Sequence, residues 1–182
     1  ISSDIILDAT MGIDADGNPD TTGVFHFNDL TINNNANLYS KSYYTTATDG
    51  VGIELNLTGT LNITSGAKID GVGRGYGYQS GDGKPTGSGN TYGGGGAHGG
   101  NGGRGESGDG GTKYDSALFP VKPGSGGYTT RGGAGGGAVK IIADEVIVDG
   151  SIDQSASVVV PNGANNGGGG AGGSVYIRAN SL

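Results

Sequence analysis

The residues of this chain that carry ligating or reactive groups are few, and most of them fall in turns. Asp14, Asp16, Asn18 and Asp20 alternate within DADGNPD, a spacing that directs several oxygens at one point and suits Ca²⁺. The motif departs from an EF-hand loop twice: its sixth position is Pro19 where Gly makes the sharp turn, and its twelfth is Phe25 where a bidentate Glu belongs. An Asx-rich turn explains the same residues, because Asp and Asn side chains bond to their own backbone. Ca²⁺ therefore stands as the single candidate cofactor. There is no cysteine, and His26 and His98 are the two histidines, one in a strand pattern and one among glycines. A Ser-His-Asp relay needs three groups in mutual reach, and glycoside hydrolysis needs two opposed carboxylates. The acids here are scattered over turns, and no G-x-S-x-G sits between a strand and a helix. No catalytic residue is expected and the chain reads as a non-enzyme. Tyr76, Tyr78, Tyr92 and Tyr128 stand among glycines, where amphipathic rings either stack on sugars or cover a thin core. Asn56-Leu57-Thr58 and Asn62-Ile63-Thr64 are acceptor triplets for N-glycosylation, which point to an extracellular location.

The elements that must position these groups are built from an unusual composition, 43 Gly in 182 residues. Five Pro and no strict Gly-X-Y period exclude a collagen helix, whose axis admits only Gly at every third position. Nine Tyr and discrete Val/Ile/Leu blocks are foreign to plain disorder. A formal net charge of -7 would repel the phosphates of nucleic acid. No apolar run reaches the roughly 18 residues that mark a membrane span. The opening ISSDIILDAT has neither a basic n-region nor an apolar h-region, so a chain that starts at Ile reads as processed or as a fragment.

Four apolar blocks align without gaps: GVFHF from Gly23, VGIEL from Val51, GAVKI from Gly137 and GSVYI from Gly173. Their alternation predicts one inward column of Phe25, Ile53, Val139 and Val175 and a second of Phe27, Leu55, Ile141 and Ile177, with His26, Glu54, Lys140 and Tyr176 facing out. A second block follows the first three, LTIN from Leu30, LNIT from Leu61 and VIVD from Val146, and a third ends in Leu38, Ile69 or Ile152. Three short strands per repeat, joined by Asn, Gly, Ser and Asp corners, describe stacked coils. The fold expected is a single right-handed parallel β-helix, or β-solenoid, over residues 1–182: N-terminal coils in 1–70, a Gly-rich insertion in 71–137 and C-terminal coils in 138–182. Within the insertion, AHGGNGGRG places His98, Asn101 and Arg104 three apart. That is the period of an extended polyproline-II-like helix, and such side-chain-free segments are expected to pack on one side of the coils.

The blocks GTLNITSGAKIDGVGRG, GGGGAHGGNGGRG, YDSALFPVKPGSGG, GGAGGGAVKIIADEVIVDGSI and GGGGAGGSVYI, in this order, resemble a Gly-rich parallel β-helix repeat of large secreted and cell-surface proteins. The resemblance implies a right-handed solenoid in a structural or adhesive context and brings no catalytic residues with it. The function expected is thus an extracellular structural protein, a subunit or module of a surface filament, appendage or adhesin. A carbohydrate-binding module using the Tyr-bearing loops, with glycans as partners, is the alternative, and a polysaccharide-degrading β-helix enzyme the second. Apolar strands near both ends of the chain, without polar caps, predict assembly through strand edges. Its partners would be other copies head to tail or neighbouring modules, with Ile1–Ala9 adding a strand to a neighbour.

Overall fold

In the computed structural model, which describes residues 1–8, 12–13, 19–20, 23–33, 35–41, 52–87, 93–157, 159 and 167–182, strands carry the apolar blocks and no helix occurs among the described residues. In chain order they are β1 (Ile5–Asp8), β2 (Gly12–Ile13), β3 (Pro19–Asp20), β4 (Val24–Phe27), β5 (Leu30–Ile32), β6 (Asn37–Lys41), β7 (Ile53–Leu57), β8 (Thr60–Ile63), β9 (Lys68–Asp70), β10 (Ala138–Val148), β11 (Ser151–Asp153) and β12 (Ser174–Ser181). Alternation sets their faces: in β7 Ile53, Leu55 and Leu57 are buried while Glu54 and Asn56 are half-exposed. The inward residues form one apolar core, in which Leu55, Leu61, Ile63, Ile69 and Ile141 are fully buried. Each such side chain contributes about 1.5–3 kcal/mol.

The expected single right-handed β-helix with a Gly-rich insertion on one side is not the architecture found. The strands gather into two sheets. One is a four-stranded parallel sheet in the order β1-β6-β9-β11, and the other holds eight strands and is mixed, because β2 and β3 pair antiparallel. The physical reason lies in β10. Its first part pairs with β7 and its second with β8, so the corner that separates first and second blocks elsewhere is here one continuous strand. Strand pairs β4–β7, β5–β8 and β6–β9 are parallel.

The second and third blocks pair in the register their spacing gives, Leu30 to Leu61 to Val146 and Leu38 to Ile69 to Ile152. In the first block β7, β10 and β12 keep the expected register, Ile53 to Val139 to Val175 and Leu55 to Ile141 to Ile177, while β4 is displaced by two residues: Phe25 lies opposite Leu55 and Phe27 opposite Leu57. Corners between β5 and β6 and between β8 and β9 each turn through a left-handed residue, Asn35 (φ 57°) and Gly66 (φ 82°). Gly and Asn tolerate that conformation best. Val175 keeps its inward register opposite Val139 but is 40% exposed, since among the described residues no strand covers β12 on its far side.

Between β9 and β10 the described chain contains no strand, yet its backbone bonds to neighbouring segments at many positions. Donors to any one neighbouring segment recur every third residue. Gly168 N–H and Ala171 N–H donate to Tyr128 O and Ser125 O, Gly133 and Gly136 donate to Gly168 O and Ala171 O, and Gly124 and Gly127 donate to Gly136 O and Gly133 O. Gly111 and Tyr114 donate to Gly95 O and His98 O, and Tyr128 and Ser125 donate to Gly94 O and Ala97 O. Glycine is required there for space: a Cβ at Gly102, Gly110, Gly111, Gly126, Gly127 or Gly135 would lie under 3.0 Å from a neighbouring carbonyl. Segments without side chains thus approach closely enough to bond sideways in several directions. Gly71 N–H donates to Asp153 O and Gly137 N–H to Gly71 O, which ties this glycine body to the sheets beside the buried Ser40–Gln154 pair.

Candidate functional site

One cluster of polar side chains lies buried where the glycine body meets β12. His98 is fixed by its neighbours' backbones: its carbonyl accepts from Tyr114 N–H at 2.9 Å, and its ring sits 5.0 Å from the Tyr114 ring. Asp115, at a left-handed φ of 68°, folds the loop 115–122 around its own carboxylate. Oδ1 accepts from Ser116 N–H at 2.8 Å, and Oδ2 accepts from Val121 and Lys122 N–H at 2.9 and 2.8 Å. Ser116 Oγ accepts from Leu118 and Phe119 N–H, which tightens the same turn. Ser174, the first residue of β12, is 2% exposed. His98, Tyr114, Asp115, Ser116, Pro120 and Ser174 line a half-open cavity of about 500 Å³.

The cluster has the residue types of a hydrolytic triad without its wiring. A relay places the carboxylate on one ring nitrogen and the hydroxyl on the other. Here Asp115 Oδ2 and Ser174 Oγ both approach Nε2, at 3.2 and 3.3 Å. Ser174 Oγ donates to Lys122 O at 2.6 Å, so its proton is committed to the backbone. The arrangement clamps the loop 115–122 onto β12. Burial by itself would push the Asp115 carboxyl up, but the N–H groups of Lys122 and Ser116, the His98 ring and the Val121 N–H outweigh it and hold it below the usual carboxylate range. Burial pushes the Tyr114 phenol up, with Tyr76, Asp82 and Asp115 adding to it against the Ser125 hydrogen bond. Its hydroxyl donates to Pro123 O and accepts from Ser125 Oγ at 3.0 Å. Lys122 pairs with Asp82 beneath the clamp. Phe119, exposed at the loop tip, rests 5.9 Å from the Tyr176 ring on the outer face of β12.

The residues singled out from the sequence fall elsewhere. Asp14, Asp16 and Asn18 lie outside the described residues, and Asp20 is described only as backbone in β3. Among the described residues no group of three His, Cys, Asp or Glu side chains could hold a metal ion. Tyr76 is fully buried, so of the two readings open to it the covering of a thin core holds and sugar stacking does not. Tyr78 is half-exposed, Tyr128 covers Gly87 and Gly93, and Tyr92 lies outside the described residues. Asn56 and Asn62 are mid-strand on the outer faces of β7 and β8. His26 is half-exposed on β4. The sequence reading missed Asp115 and Ser174, which are 17 and 76 residues from His98. The one local signal was Asp115-Ser116 ahead of an apolar tip, a pair that favours a turn built on side-chain oxygens. Among the described residues there is no helix long and apolar enough to cross a membrane. No family model, no curated protein and no solved structure matches the chain.

Proposed function

We propose that the chain is a structural protein of extracellular or cell-surface material, a subunit or module of a filament, appendage or adhesin that associates with copies of itself through the open edges of its sheets. The observation that carries this reading is the state of the core at its two ends. Inward residues of the middle strands, such as Ile63, Leu38 and Val139, are fully buried, whereas Ile5, Val148 and Val175, which keep the same inward register, are each 40% exposed. Among the described residues no strand covers these side chains, and an apolar edge of this kind recruits another strand, from a copy or from a neighbouring module. The clamp wiring of His98, Asp115 and Ser174 favours support over catalysis, and the acceptor triplets at Asn56 and Asn62 favour an extracellular setting. Light scattering and negative-stain electron microscopy of the purified chain test the reading. Open-ended polymers are expected, and a monodisperse monomer across a wide concentration range would refute it.

A further inference from the structure

The clamp engages one nitrogen of the His98 ring and leaves the other without a protein partner. Asp115 Oδ2 and Ser174 Oγ lie 3.2 and 3.3 Å from Nε2. Asp115 is held ionised by the N–H groups of Lys122, Ser116 and Val121, so toward the ring it can only accept. Ser174 Oγ gives its proton to Lys122 O at 2.6 Å, so it too faces the ring as an acceptor. Two acceptors on Nε2 fix the ring proton there. In the neutral imidazole Nδ1 is then a bare lone pair, free to accept. Among the described residues no group donates to Nδ1, and it is not one of the sealed polar atoms that lack a partner, which are Asn33 Oδ1, Asn62 Oδ1 and Arg74 Nε. Nδ1 is therefore open to the cavity that the ring lines.

That cavity, of about 500 Å³, has the size of a small-ligand site, and its wall divides by chemistry. Tyr114, Pro120 and Val175 give it apolar surface, and Gly99 leaves it open, since a Cβ there would meet nothing within 4 Å. Lys113 supplies a cation. Its backbone is held, because its own N–H donates to Asn101 Oδ1 at 2.9 Å and that of Tyr114 donates to His98 O at 2.9 Å. Lys68, Lys122 and Lys140 each pair with a carboxylate, whereas Lys113 Nζ has no partner among the described residues. The negative charge in the wall, Asp115, is already met by three N–H groups and the His98 ring. What the cavity presents unmatched is one lone pair and one ammonium group.

A lone pair calls for a hydroxyl or N–H donor, a free ammonium group for an anion, and an aromatic wall for a flat apolar face. A sugar ring that bears a carboxylate offers all three. A neutral sugar would leave Lys113 unmatched, and a simple carboxylate would leave Nδ1 unmatched. We propose that this cavity binds a uronic-acid residue of an acidic polysaccharide, with its carboxylate on Lys113, a ring hydroxyl donating to His98 Nδ1, and its apolar face against Tyr114 and Pro120. Asp115 and Ser174 act here as positioning residues, because they set the tautomer that makes His98 an acceptor. The site needs no contact between copies, so it stands apart from the assembly described above.

Nuclear magnetic resonance of the wild-type chain, its histidines labelled with nitrogen-15, tests the site at about pH 8, with His26 on β4 as internal control. The free protein is expected to carry the His98 proton on Nε2. Added D-glucuronate is expected to shift the His98 Nδ1 resonance and leave His26 in place, and D-glucose and acetate at the same ionic strength to bind about tenfold more weakly. Lys113→Gln changes an exposed side chain outside the clamp, so it should weaken glucuronate binding about tenfold and leave the His98 tautomer as it is. A proton on Nδ1 in the free protein, a His98 resonance indifferent to glucuronate, equal affinities for glucuronate and glucose, or undiminished binding by Lys113→Gln overturns the proposal. Polymer formation, read by light scattering, tests the structural reading alone, so the two can fail independently.

Discussion

Replacing Gly111 by Ala puts a methyl group into a seam of the glycine body that has no room for one. The added Cβ would lie 2.6 Å from Gly83 C and 3.1 Å from Ala97 N, and closer still to Gly83 O. That oxygen accepts the Ala97 N–H at 2.9 Å, and Gly111 itself donates to Gly95 O at 3.0 Å while its carbonyl accepts from Gly102 N–H at 2.9 Å. Relieving the clash means parting the two segments by about the radius of a methyl group, which breaks at least the Ala97 bond and strains the two at Gly111. With buried backbone groups left unpaired at about 1–3 kcal/mol each, the loss comes to about 3–5 kcal/mol. Gly100→Ala is the matched control, because a Cβ there meets nothing within 4 Å. It should be neutral or raise stability by about 0.4–1 kcal/mol through the unfolded chain. For a chain of this length about 2–4 °C accompanies each kcal/mol, so thermal unfolding should separate the two variants by about 6–24 °C. Melting temperatures within about 2 °C of each other would show that the seams are loose and that the steric argument for their glycines is wrong.

Three further outcomes follow from the packing and the clamp. Leu55→Ala, fully buried between Phe25 and Ile141, should cost about 2–5 kcal/mol in urea denaturation, whereas Val175→Ala, 40% exposed, should cost less than about 1.5; equal losses would contradict the picture of a core open at β12. Asp115→Asn should lower stability at neutral pH by about 1–3 kcal/mol. The Asp115 carboxyl is held below its ordinary value near 4, so its contribution is whole above that pH and fades as pH falls through the lower folded-state value; a gap between wild type and variant that stays constant from pH 7 to pH 2 would rule this out. Ser174→Ala should lower stability by about 1–2 kcal/mol through the lost bond to Lys122 O, and an esterase activity of the wild type that this change abolishes would overturn the clamp assignment.

The parts of the fold legible in the sequence were those where one local rule acts alone. Alternation names the face of Phe25, Leu55 and Ile141, and the equal eight-residue spacings Leu30 to Leu38 and Leu61 to Ile69 give the pairing of their strands. Period two cannot tell a register from one shifted by two residues, since both keep every side chain on its face. That is why Phe25 was matched with Ile53 when it lies opposite Leu55. The two-sheet arrangement was hidden for a related reason: that β10 carries pairing from β7 on to β8 as one strand, although its inward alternation slips between Ala143 and Val146, depends on the strands beside it and not on its own composition. The clamp was invisible because His98, Asp115 and Ser174 come together only when three distant segments dock, and the placement of Tyr76 in the interior rests on the same docking.

In the glycine body the hydrogen bonds from one segment to any one neighbour fall on every third residue, and this makes its length a quantised property. Gly124 and Gly127 face Gly136 and Gly133 across a turn at 128–132, so adding three residues to each arm would add one rung and leave every other rung in place. Adding one or two would rotate all later donors away from their acceptors and put glycine where space is free and side chains where it is not. Insertions in multiples of three are therefore the changes of length this body can absorb, and its reach from the sheets becomes adjustable in discrete steps without altering β1–β12.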